Sequence, residues 1–482
     1  MDYKIILSIL SKICYGTAAV MLVAAGTAAY YDESVLEMAL AVFAACFCGC
    51  WLSAKGSGCR EVGLREGISA VVFGWLLIAL LGAVPYMAAG VLWPVEAFFE
   101  SMSGFTTTGA TVITQIDGLP RYLLLWRSLT NWVGGLVIIS LFVTVLPQLA
   151  RGSTYLFNSE VEGGAGGRIL PRIKSTTIAV FYIYVLLTII LTGCLVVLGM
   201  TEFDALNYAL TTISTGGFAP HTNSVAQLQS AGVEFVLALF MLLAGGNFAL
   251  YYHMTQSSVK VFYENLEFKA YIGTVLAATL LIFLNLLLTG GYGAGEGLRH
   301  AFFQSVSFCT TTGFASCNYD LWPAFSKLLL GFLFILGGCS GSTAGGVKVS
   351  RFIVLVRSVF MELRRTLHPR MLVSVNYQGR PLPENTITYI SRFFFIYIFV
   401  GAVLVLGVTA VGLPMDDAVF GVFACLASVG PAFGSLGVAA TFAEVPAFGK
   451  LVLAAAMLVG RVELVLALVL LRREYWRKSK HW

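Results

Sequence analysis

The chain has 482 residues, of which 58% are hydrophobic and only 11% are charged. A soluble domain has about 25% charged residues, so this composition excludes a water-soluble protein and predicts a polytopic membrane protein. The formal net charge of +5 matters less than the places where the charges fall.

Ten apolar stretches are long enough to cross a bilayer as helices. They lie near 6–30, 35–54, 67–90, 122–147, 176–200, 229–255, 270–290, 324–357, 388–413 and 447–471. The first stretch lacks a small-residue cleavage site, which predicts a retained span and no cleaved signal. Four polar segments lie between the third and fourth, fifth and sixth, seventh and eighth, and ninth and tenth spans. Each joins a short amphipathic helix pattern to a Thr/Ser/Gly cluster and is too short to cross.

Basic residues alternate with these four segments. The loops at 151–174, 256–269, 348–380 and 472–480 hold 4, 2, 7 and 5 basic residues, whereas the windows 85–120, 200–230, 291–323 and 412–446 hold only Arg299. The positive-inside rule therefore places the glycine clusters outside and both termini in the cytoplasm.

The same four windows contain ten acidic residues, which predict an outer vestibule that concentrates cations. They are Glu96, Glu100, Asp117, Glu202, Asp204, Glu296, Asp320, Asp416, Asp417 and Glu444. The alternative is that acidic residues simply accumulate on the side where basic residues are disfavoured.

A fourfold internal repeat is the strongest pattern in the chain. The clusters read SMSGFTTTGATV at 101–112, ALTTISTGGFAP at 209–220, SVSFCTTTGFAS at 305–316 and CLASVGPAFG at 425–434. They align on Gly109, Gly216, Gly313 and Gly430, and each repeat reads as span, re-entrant helix, glycine loop, span. The alternative, four unrelated Gly/Thr turns, does not explain why all four lie on one side.

Four such loops around an axis predict a cation filter, because rings of backbone carbonyls can replace the water shell of an ion. Glycine allows the left-handed backbone that such a loop needs, and the short helices direct their negative ends toward the ion. The predicted filter residues are Thr107, Thr108, Gly109 and Ala110; Ser214, Thr215, Gly216 and Gly217; Thr311, Thr312, Gly313 and Phe314; and Ser428, Val429, Gly430 and Pro431.

The eighth span contains a run of small residues that should not be helical. They are Gly337, Gly338, Cys339, Ser340, Gly341, Ser342, Thr343, Ala344, Gly345 and Gly346. A discontinuous helix at this depth is typical of a transport site or gate. The alternative is a site of close helix packing. The run lacks the order of a phosphate loop or a nucleophile elbow.

Arg461 lies near the middle of the last span, where an arginine is costly and indicates function. We expect the carbonyls of 337–346 to be its partners, because Glu463 points elsewhere on a helix. Snorkelling to the inner interface is the alternative. Lys348 and Arg351 follow the broken run and either cap its helix, repel cations or are ordinary cytoplasmic charges.

With these motifs the chain resembles the Trk/Ktr/HKT superfamily of potassium transporters, and within it the TrkH type of membrane subunit. The resemblance rests on the four filter loops and on FILGGCSGSTAGGVKVSRF at 334–352, AGGNFALYYH at 244–253 and LVGRVELVLALVL at 458–470. It implies potassium selectivity, since all four filter positions are glycine, and it implies that 337–346 gates the pore with Arg461 as an electrostatic barrier. It also implies a homodimer on a cytosolic ring of TrkA-like nucleotide-binding regulatory subunits.

The resulting prediction is an all-α polytopic membrane protein with four pseudo-symmetric repeats around a central pore and two extra N-terminal spans. We expect the helix pair at 1–60 and the repeats at 61–160, 161–262, 263–386 and 387–482, with 151–175 and 358–386 as docking segments. The expected function is gated potassium uptake across a bacterial inner membrane, with membrane lipid as a further partner and no nucleic acid.

Two other functions differ from this one in the residues that they need. A potassium symporter coupled to protons or sodium requires titratable groups within the membrane, for which Glu463 and Glu234 are the candidates. A membrane-embedded enzyme requires clustered His, Asp or Glu, and the five histidines are scattered. We therefore expect no enzyme, and no organic cofactor bound by this chain.

Overall fold

Helices make up most of the described residues. The computed structural model describes residues 1–56, 63–144, 169–256, 260–370, 374–438, 440–462 and 464–476. Within these residues seven helices are long and apolar enough to cross a membrane, or up to nine if each of two bent pairs is one span. The long helices are α1 (Tyr3–Tyr30), α2 (Leu36–Lys55), α3 (Leu64–Ala88), α5 (Arg121–Thr144), α6 (Ile169–Val197), α11 (Leu266–Leu288) and α15 (Glu384–Thr409).

Four short helices occupy the positions predicted for re-entrant segments, and we call them the pore helices. They are α4 (Pro94–Phe105), α7 (Glu202–Ile213), α12 (Ala294–Cys309) and α16 (Met415–Ala427). Each has at least one acidic residue in its first turn, where a carboxylate stabilises the positive end of the helix dipole. The C-terminal half of each is buried, so four negative helix ends lie inside the protein.

The remaining elements are shorter. They are α8 (Ala231–Ala244), α9 (Phe248–Gln256), α10 (Lys260–Glu264), α13 (Ala324–Leu336), α14 (Val349–Leu367), α17 (Ala447–Arg461), α18 (Leu464–Leu470), α19 (Arg473–Trp476), and single 3₁₀ turns at Ser224–Leu228, Tyr319–Leu321, Gly434–Leu436 and Phe442–Glu444. Two-residue strands β1 (Asn376–Tyr377) and β2 (Arg380–Pro381) form one antiparallel hairpin, in which Asn376 faces Pro381.

Three spans are interrupted, although the sequence predicted a break only in 324–357. That break lies between α13 and α14, as expected. The predicted continuous span 229–255 is wrong, because α8 and α9 meet at 89°. Asn247 explains this bend, since its side-chain oxygen accepts a hydrogen bond from the backbone N–H of Ala249 (2.9 Å) and so caps a new helix. The predicted span 447–471 is likewise divided into α17 and α18.

The two sides of the molecule are distinguished by their connections. We call the side on which spans connect to pore helices the mouth side, and the side that holds Met1 and Tyr475 the terminal side. These two residues lie near the start of α3: the Met1 amino group is 3.8 Å from the Glu66 carboxylate, and the Tyr475 hydroxyl donates to the carbonyl of Arg65 (2.6 Å).

The repeats α3–α5, α6–α9, α11–α14 and α15–α18 pack around two hydrophobic cores. One joins the extra helices α1 and α2 to the first and fourth repeats, and the other joins the second repeat to the third. The predicted all-α architecture is therefore confirmed.

Carboxylates join neighbouring repeats on the mouth side, and three of them, Glu96, Asp117 and Asp320, are residues predicted to attract cations. Each of the four boundaries between repeats has at least one such contact. The pairs are Asp117 with the Thr222 hydroxyl (2.5 Å), Glu234 with Arg299 (3.3 Å), Asp320 with the Gly434 N–H (3.0 Å) and Glu96 with Lys450 (2.8 Å). The physical reason is that a partly buried carboxylate needs hydrogen-bond donors, and the adjacent repeat supplies them.

Glu100 departs furthest from its predicted place in the vestibule, because its side chain is fully buried. It accepts hydrogen bonds from the Arg127 Nε (3.0 Å) and the Val112 N–H (2.9 Å). Arg127 in turn donates to the carbonyl of Ala219 in the second repeat (3.1 Å). The ion pair thus connects the segments that leave the first two glycine loops.

We expect the Glu100–Arg127 pair to behave as a unit. Removing one partner leaves a buried unpaired charge, which costs about 3–5 kcal/mol. Glu100→Gln and Arg127→Met should each lower the melting temperature of the purified protein more than the double variant does. Glu202→Gln, in an exposed first turn, is the control and should change little. Additive effects of the two single variants would contradict a coupled pair.

His221 forms a second charged contact between the first two repeats. Its Nδ1 lies 3.2 Å from Asp117 and its Nε2 lies 3.7 Å from Asp204. The contact with Asp204, followed by the hydrogen bond with Asp117, raises the pKa of His221 above its usual range despite partial burial. The same histidine is the main reason that the pKa of Asp204 is lowered.

The raised pKa fixes the sign of a pH effect on stability. The contribution of His221 is complete below its unfolded pKa of about 6.5 and is lost as pH rises through the higher folded value. From pH 6 to pH 8 the wild-type protein should therefore lose more stability than His221→Gln. The difference should be at most about 1 kcal/mol, as for other partly exposed pairs. Parallel melting curves for the two proteins would contradict it.

Candidate functional site

The four glycine loops share one backbone conformation. In each, a left-handed residue is followed two places later by a left-handed glycine. The pairs are Thr107 and Gly109, Thr215 and Gly217, Thr311 and Gly313, and Ser428 and Gly430. We call the five-residue segments that contain them, 106–110, 214–218, 310–314 and 427–431, the filter loops.

The second loop is shifted by one residue from the predicted alignment. In all four repeats the N–H just before the left-handed glycine donates to a carbonyl five residues earlier; the pairs are Thr108 to Ser103, Gly216 to Thr211, Thr312 to Ser307 and Val429 to Ala424. Gly217, not Gly216, is therefore equivalent to Gly109. The alignment on Gly216 is wrong because two adjacent glycines fit the pattern, and only the end of α7 distinguishes them.

The corrected register changes which residues belong to the second filter loop. Phe218 completes it, in the place that Ala110 takes in the first loop, and sequence reasoning missed this residue. Ser214 is equivalent to Thr106, one place before the predicted filter residues of the first repeat. The remaining predicted filter residues occupy equivalent places in the four loops.

The left-handed glycines bring the loops together in a closed ring. A β-carbon on each would collide with a backbone carbonyl oxygen of the next loop; the pairs are Gly109 with Gly216, Gly217 with Thr312, Gly313 with Val429, and Gly430 with Thr108. The fourth loop thus returns to the first. Such close approach of backbones is possible only for residues without a side chain.

Side-chain hydroxyls support two of the loops from within. The hydroxyls of Thr106 and Thr108 lie 2.9 Å apart, and those of Thr310 and Thr312 lie 2.8 Å apart. In the second loop Gly216 replaces this second threonine, since a β-carbon there would collide with the side chain of Asn131. Asn131 lies in the predicted fourth span, and nothing in the sequence marked it.

A cavity of about 120 Å³ opens above the ring on the mouth side. It reaches Gly109, Gly217, Gly313 and Pro431, so all four filter loops contribute to it. No carboxylate is among the described residues that line this cavity. The cation-attracting vestibule expected from the acidic residues is therefore absent from its described lining.

The break between α13 and α14 places a non-helical segment directly beneath the ring, and we call residues 337–348 the plug. The Thr343 hydroxyl donates to the carbonyl of Ile213 at the end of α7 (3.3 Å). The Gly345 N–H donates to the Thr311 hydroxyl (2.6 Å), and the Gly346 N–H donates to the carbonyl of Ala427 (3.1 Å). The plug thus contacts the second, third and fourth repeats where their pore helices end.

Arg461 connects the plug to the remaining repeat. The side chain is only 8% exposed and donates to the carbonyls of Thr343 in the plug (2.8 Å) and of Thr106 (2.5 Å) and Thr107 (3.3 Å) in the first filter loop. It also contacts the Thr107 hydroxyl.

The partner predicted for Arg461, a carbonyl of 337–346, is present. Its partners in the first filter loop were not predicted. The side chain points toward the ring, which contradicts snorkelling. Glu463 lies outside the described residues.

Two further basic residues, Lys348 and Arg351, lie at the end of the plug and just after it. The Lys348 ammonium donates to the carbonyl of Ala344, and the Arg351 guanidinium lies 4.1 Å from the ring centroid of Phe393. Both line a small cavity of about 30 Å³ together with Arg461. Lys348 therefore binds the plug itself, and Arg351 stacks in the first turn of α14.

Comparison with known proteins agrees with this arrangement. The family model TrkH, described as a cation transport protein, matches residues 36–479. The chain is 35% identical to the Trk system potassium uptake protein TrkH of Vibrio parahaemolyticus over 457 residues, which is 93% of this chain and 94% of that protein. It is 36% identical to TrkH of Escherichia coli K12, with 89% of each chain covered.

A solved structure shows the same fold. The crystal structure of the potassium transporter TrkH from Vibrio parahaemolyticus matches with a TM-score of 0.91 and 34% sequence identity, and the match covers 99% of this chain and 100% of that one. The predicted resemblance is confirmed: this chain belongs to the TrkH family of cation transport proteins.

Proposed function

We propose that the chain carries potassium across the bacterial inner membrane through a gated, channel-like pore. In this proposal the filter loops select the ion, and the plug with Arg461 closes the pathway. One observation carries it: a single non-helical segment lies beneath a closed ring of four loops and contacts all four repeats, the first through Arg461.

The choice of potassium rests on the ring and on the relatives. Carbonyl oxygens of the loops can replace the hydration shell of a monovalent cation, and the second left-handed position of every filter loop is glycine. Proteins of similar sequence in Vibrio parahaemolyticus and Escherichia coli are potassium uptake proteins by name. Potassium is then the transported ion, held by filter-loop oxygens.

The charge of Arg461 supports its role in closing the pathway. A guanidinium remains protonated even when buried, and here it occupies carbonyl oxygens of the first filter loop. A permeating cation reaching this point meets a fixed positive charge.

We further propose that the mouth side faces outward and that both termini are cytoplasmic, since the described parts of the basic loops lie on the terminal side. The regulatory partner and the second copy of a homodimer then have 358–386 as a docking segment; of the other, 151–175, residues 151–168 lie outside the described residues. On α14 the exposed Val359, Phe360 and Leu363 lie next to Arg364, which supports a protein contact there.

The alternative function is a potassium symporter, and the structure does not support one of its two candidate titratable residues. Glu234 pairs with Arg299 (3.3 Å) on the mouth side and is not among the residues that line the cavity above the ring. The other candidate, Glu463, is not described. No contact in the described residues favours ion coupling.

Substitution of the ring glycines tests the filter. Serine at Gly217 or Gly313 places a β-carbon against the carbonyl of Thr312 or Val429 and strains a left-handed residue. We expect the K⁺/Na⁺ permeability ratio to fall by about tenfold, or about 1.4 kcal/mol, as measured from reversal potentials in proteoliposomes.

Gly118→Ser is the matched control, because a β-carbon at Gly118 meets nothing within 4 Å. An unchanged ratio in both ring variants would refute the filter assignment. In the same vesicles, a reversal potential that follows the proton or sodium gradient would establish coupling and replace the channel with the symporter.

Arg461 variants test the gate separately. Arg461→Gln removes the charge while keeping hydrogen-bond donors, so basal potassium flux without a regulatory subunit should rise by about tenfold, equivalent to about 1.4 kcal/mol. Arg461→Lys keeps the charge and should stay near the wild-type flux. A correctly folded Arg461→Gln protein with wild-type flux would contradict the role of Arg461 as a barrier.

A further inference from the structure

Glu267 is a buried carboxylate that lies beneath the plug and belongs to none of the motifs predicted from the sequence. It is in the first turn of α11, whose N-cap is Asn265, and its side chain is 1% exposed. An ionised group so deeply buried needs strong hydrogen-bond donors. The groups that donate hydrogen bonds to Glu267 therefore indicate its role.

One oxygen of Glu267 binds both the plug and the first turn of the helix that follows it. Its Oε1 accepts a hydrogen bond from the backbone N–H of Ser340 (2.7 Å) and another from the backbone N–H of Ser350 (3.2 Å). The hydroxyls of these two serines lie 2.5 Å apart. Ser340 is near the start of the plug, and Ser350 is in the first turn of α14.

This geometry closes the plug into a loop. Ten residues in extended form span about 33–36 Å, but here the two N–H groups at the ends of such a segment share one acceptor atom. The Ser350 N–H is one of the donors that the start of a helix leaves unpaired, and a carboxylate there also complements the dipole of α14. The plug cannot straighten while both bonds remain.

Glu267 connects the plug to the junction of α10 and α11 on the terminal side. α11 follows the short helix α10 (Lys260–Glu264) after one residue. A shift of this connection moves Glu267 directly, since only one residue lies between Glu267 and the N-cap Asn265. The plug has a separate attachment to the bend of the second repeat, where the Cys339 N–H donates to the carbonyl of Gly245 (2.9 Å).

We propose that Glu267 is a positioning residue that holds the plug closed. This inference rests on the proposed role of the plug as the gate. Glu267 does not contact the filter loops, so it acts on gating and not on ion selection.

The bonds of Glu267 predict a graded series of variants. Glu267→Ala removes the acceptor of both hydrogen bonds, whereas Glu267→Gln keeps an oxygen at the same place without the charge. Charge-assisted hydrogen bonds are roughly twice as strong as neutral ones. In proteoliposomes without a regulatory subunit, we expect Glu267→Ala to raise basal potassium flux by about tenfold and Glu267→Gln to raise it less. The reversal potential under a K⁺/Na⁺ gradient should not change.

Glu264→Ala is the matched control, since Glu264 is exposed and three residues earlier. A second measurement keeps the test decisive: with Cys339 as the sole cysteine, its reaction with a water-soluble maleimide should be faster in Glu267→Ala and Glu267→Gln, because Cys339 is 1% exposed in the closed plug. Where Glu267→Ala fails to fold, Glu267→Gln supplies both readouts.

The outcomes separate this inference from the function on which it rests. Unchanged labelling and unchanged flux in folded Glu267 variants, alongside raised flux in Arg461→Gln, would overturn the role of Glu267 and leave the gate intact. Faster labelling without any change of flux, in Glu267→Ala and Arg461→Gln alike, would show that Glu267 holds the plug but that the plug is not the gate.

Discussion

Close approach of backbone to backbone is the constraint on which the centre of this protein depends. Four chain segments meet around one axis, and at each contact an α-carbon without a side chain lies against a carbonyl oxygen of the next segment. A single methyl group at any contact would push two loops apart. The filter loops make few side-chain contacts of their own. They are held in place by the pore helices, by the buried pair of Glu100 and Arg127 and by the contacts between repeats.

The same arrangement explains where the plug binds. A helix leaves its last carbonyls without partners and carries a partial negative charge at that end, and four such ends converge below the ring. Ile213 and Ala427 are terminal residues of two pore helices, and their carbonyls are satisfied by the plug. The carbonyl of Thr106, just after a third, is satisfied by Arg461. In the proposed gate, closing the pathway and completing the hydrogen bonding of these pore helices are therefore the same physical event.

Much of this fold follows from pattern alone, because hydropathy sets the spans and small polar clusters set the loops. The register of the second loop did not follow, since Gly216 and Gly217 fit the motif equally and only the hydrogen bonds at the end of α7 separate them. The bend after Ala244 was missed because its cause, the cap by Asn247, lies within an apolar run.

The partners of the acidic residues could not be predicted from the sequence either. Glu100 and Arg127 are 27 residues apart, and their contact depends on the packing of α4 against α5. Charge counting placed Glu100 correctly on the mouth side but could not show that it is buried. Glu267 was missed for a similar reason: its partners are two backbone N–H groups, which no side-chain motif records.

The guanidinium of Arg461 occupies the carbonyl oxygens of Thr106 and Thr107, at the inner end of the first filter loop. In the proposed pore, a potassium ion leaving the ring would seek oxygen ligands at this same point. The arginine is then a tethered blocking ion, in competition with the permeant ion for one electrostatic well. Potassium in the filter would weaken the binding of Arg461 to these carbonyl oxygens. The transported ion itself would then favour opening, and a pore without potassium would stay closed.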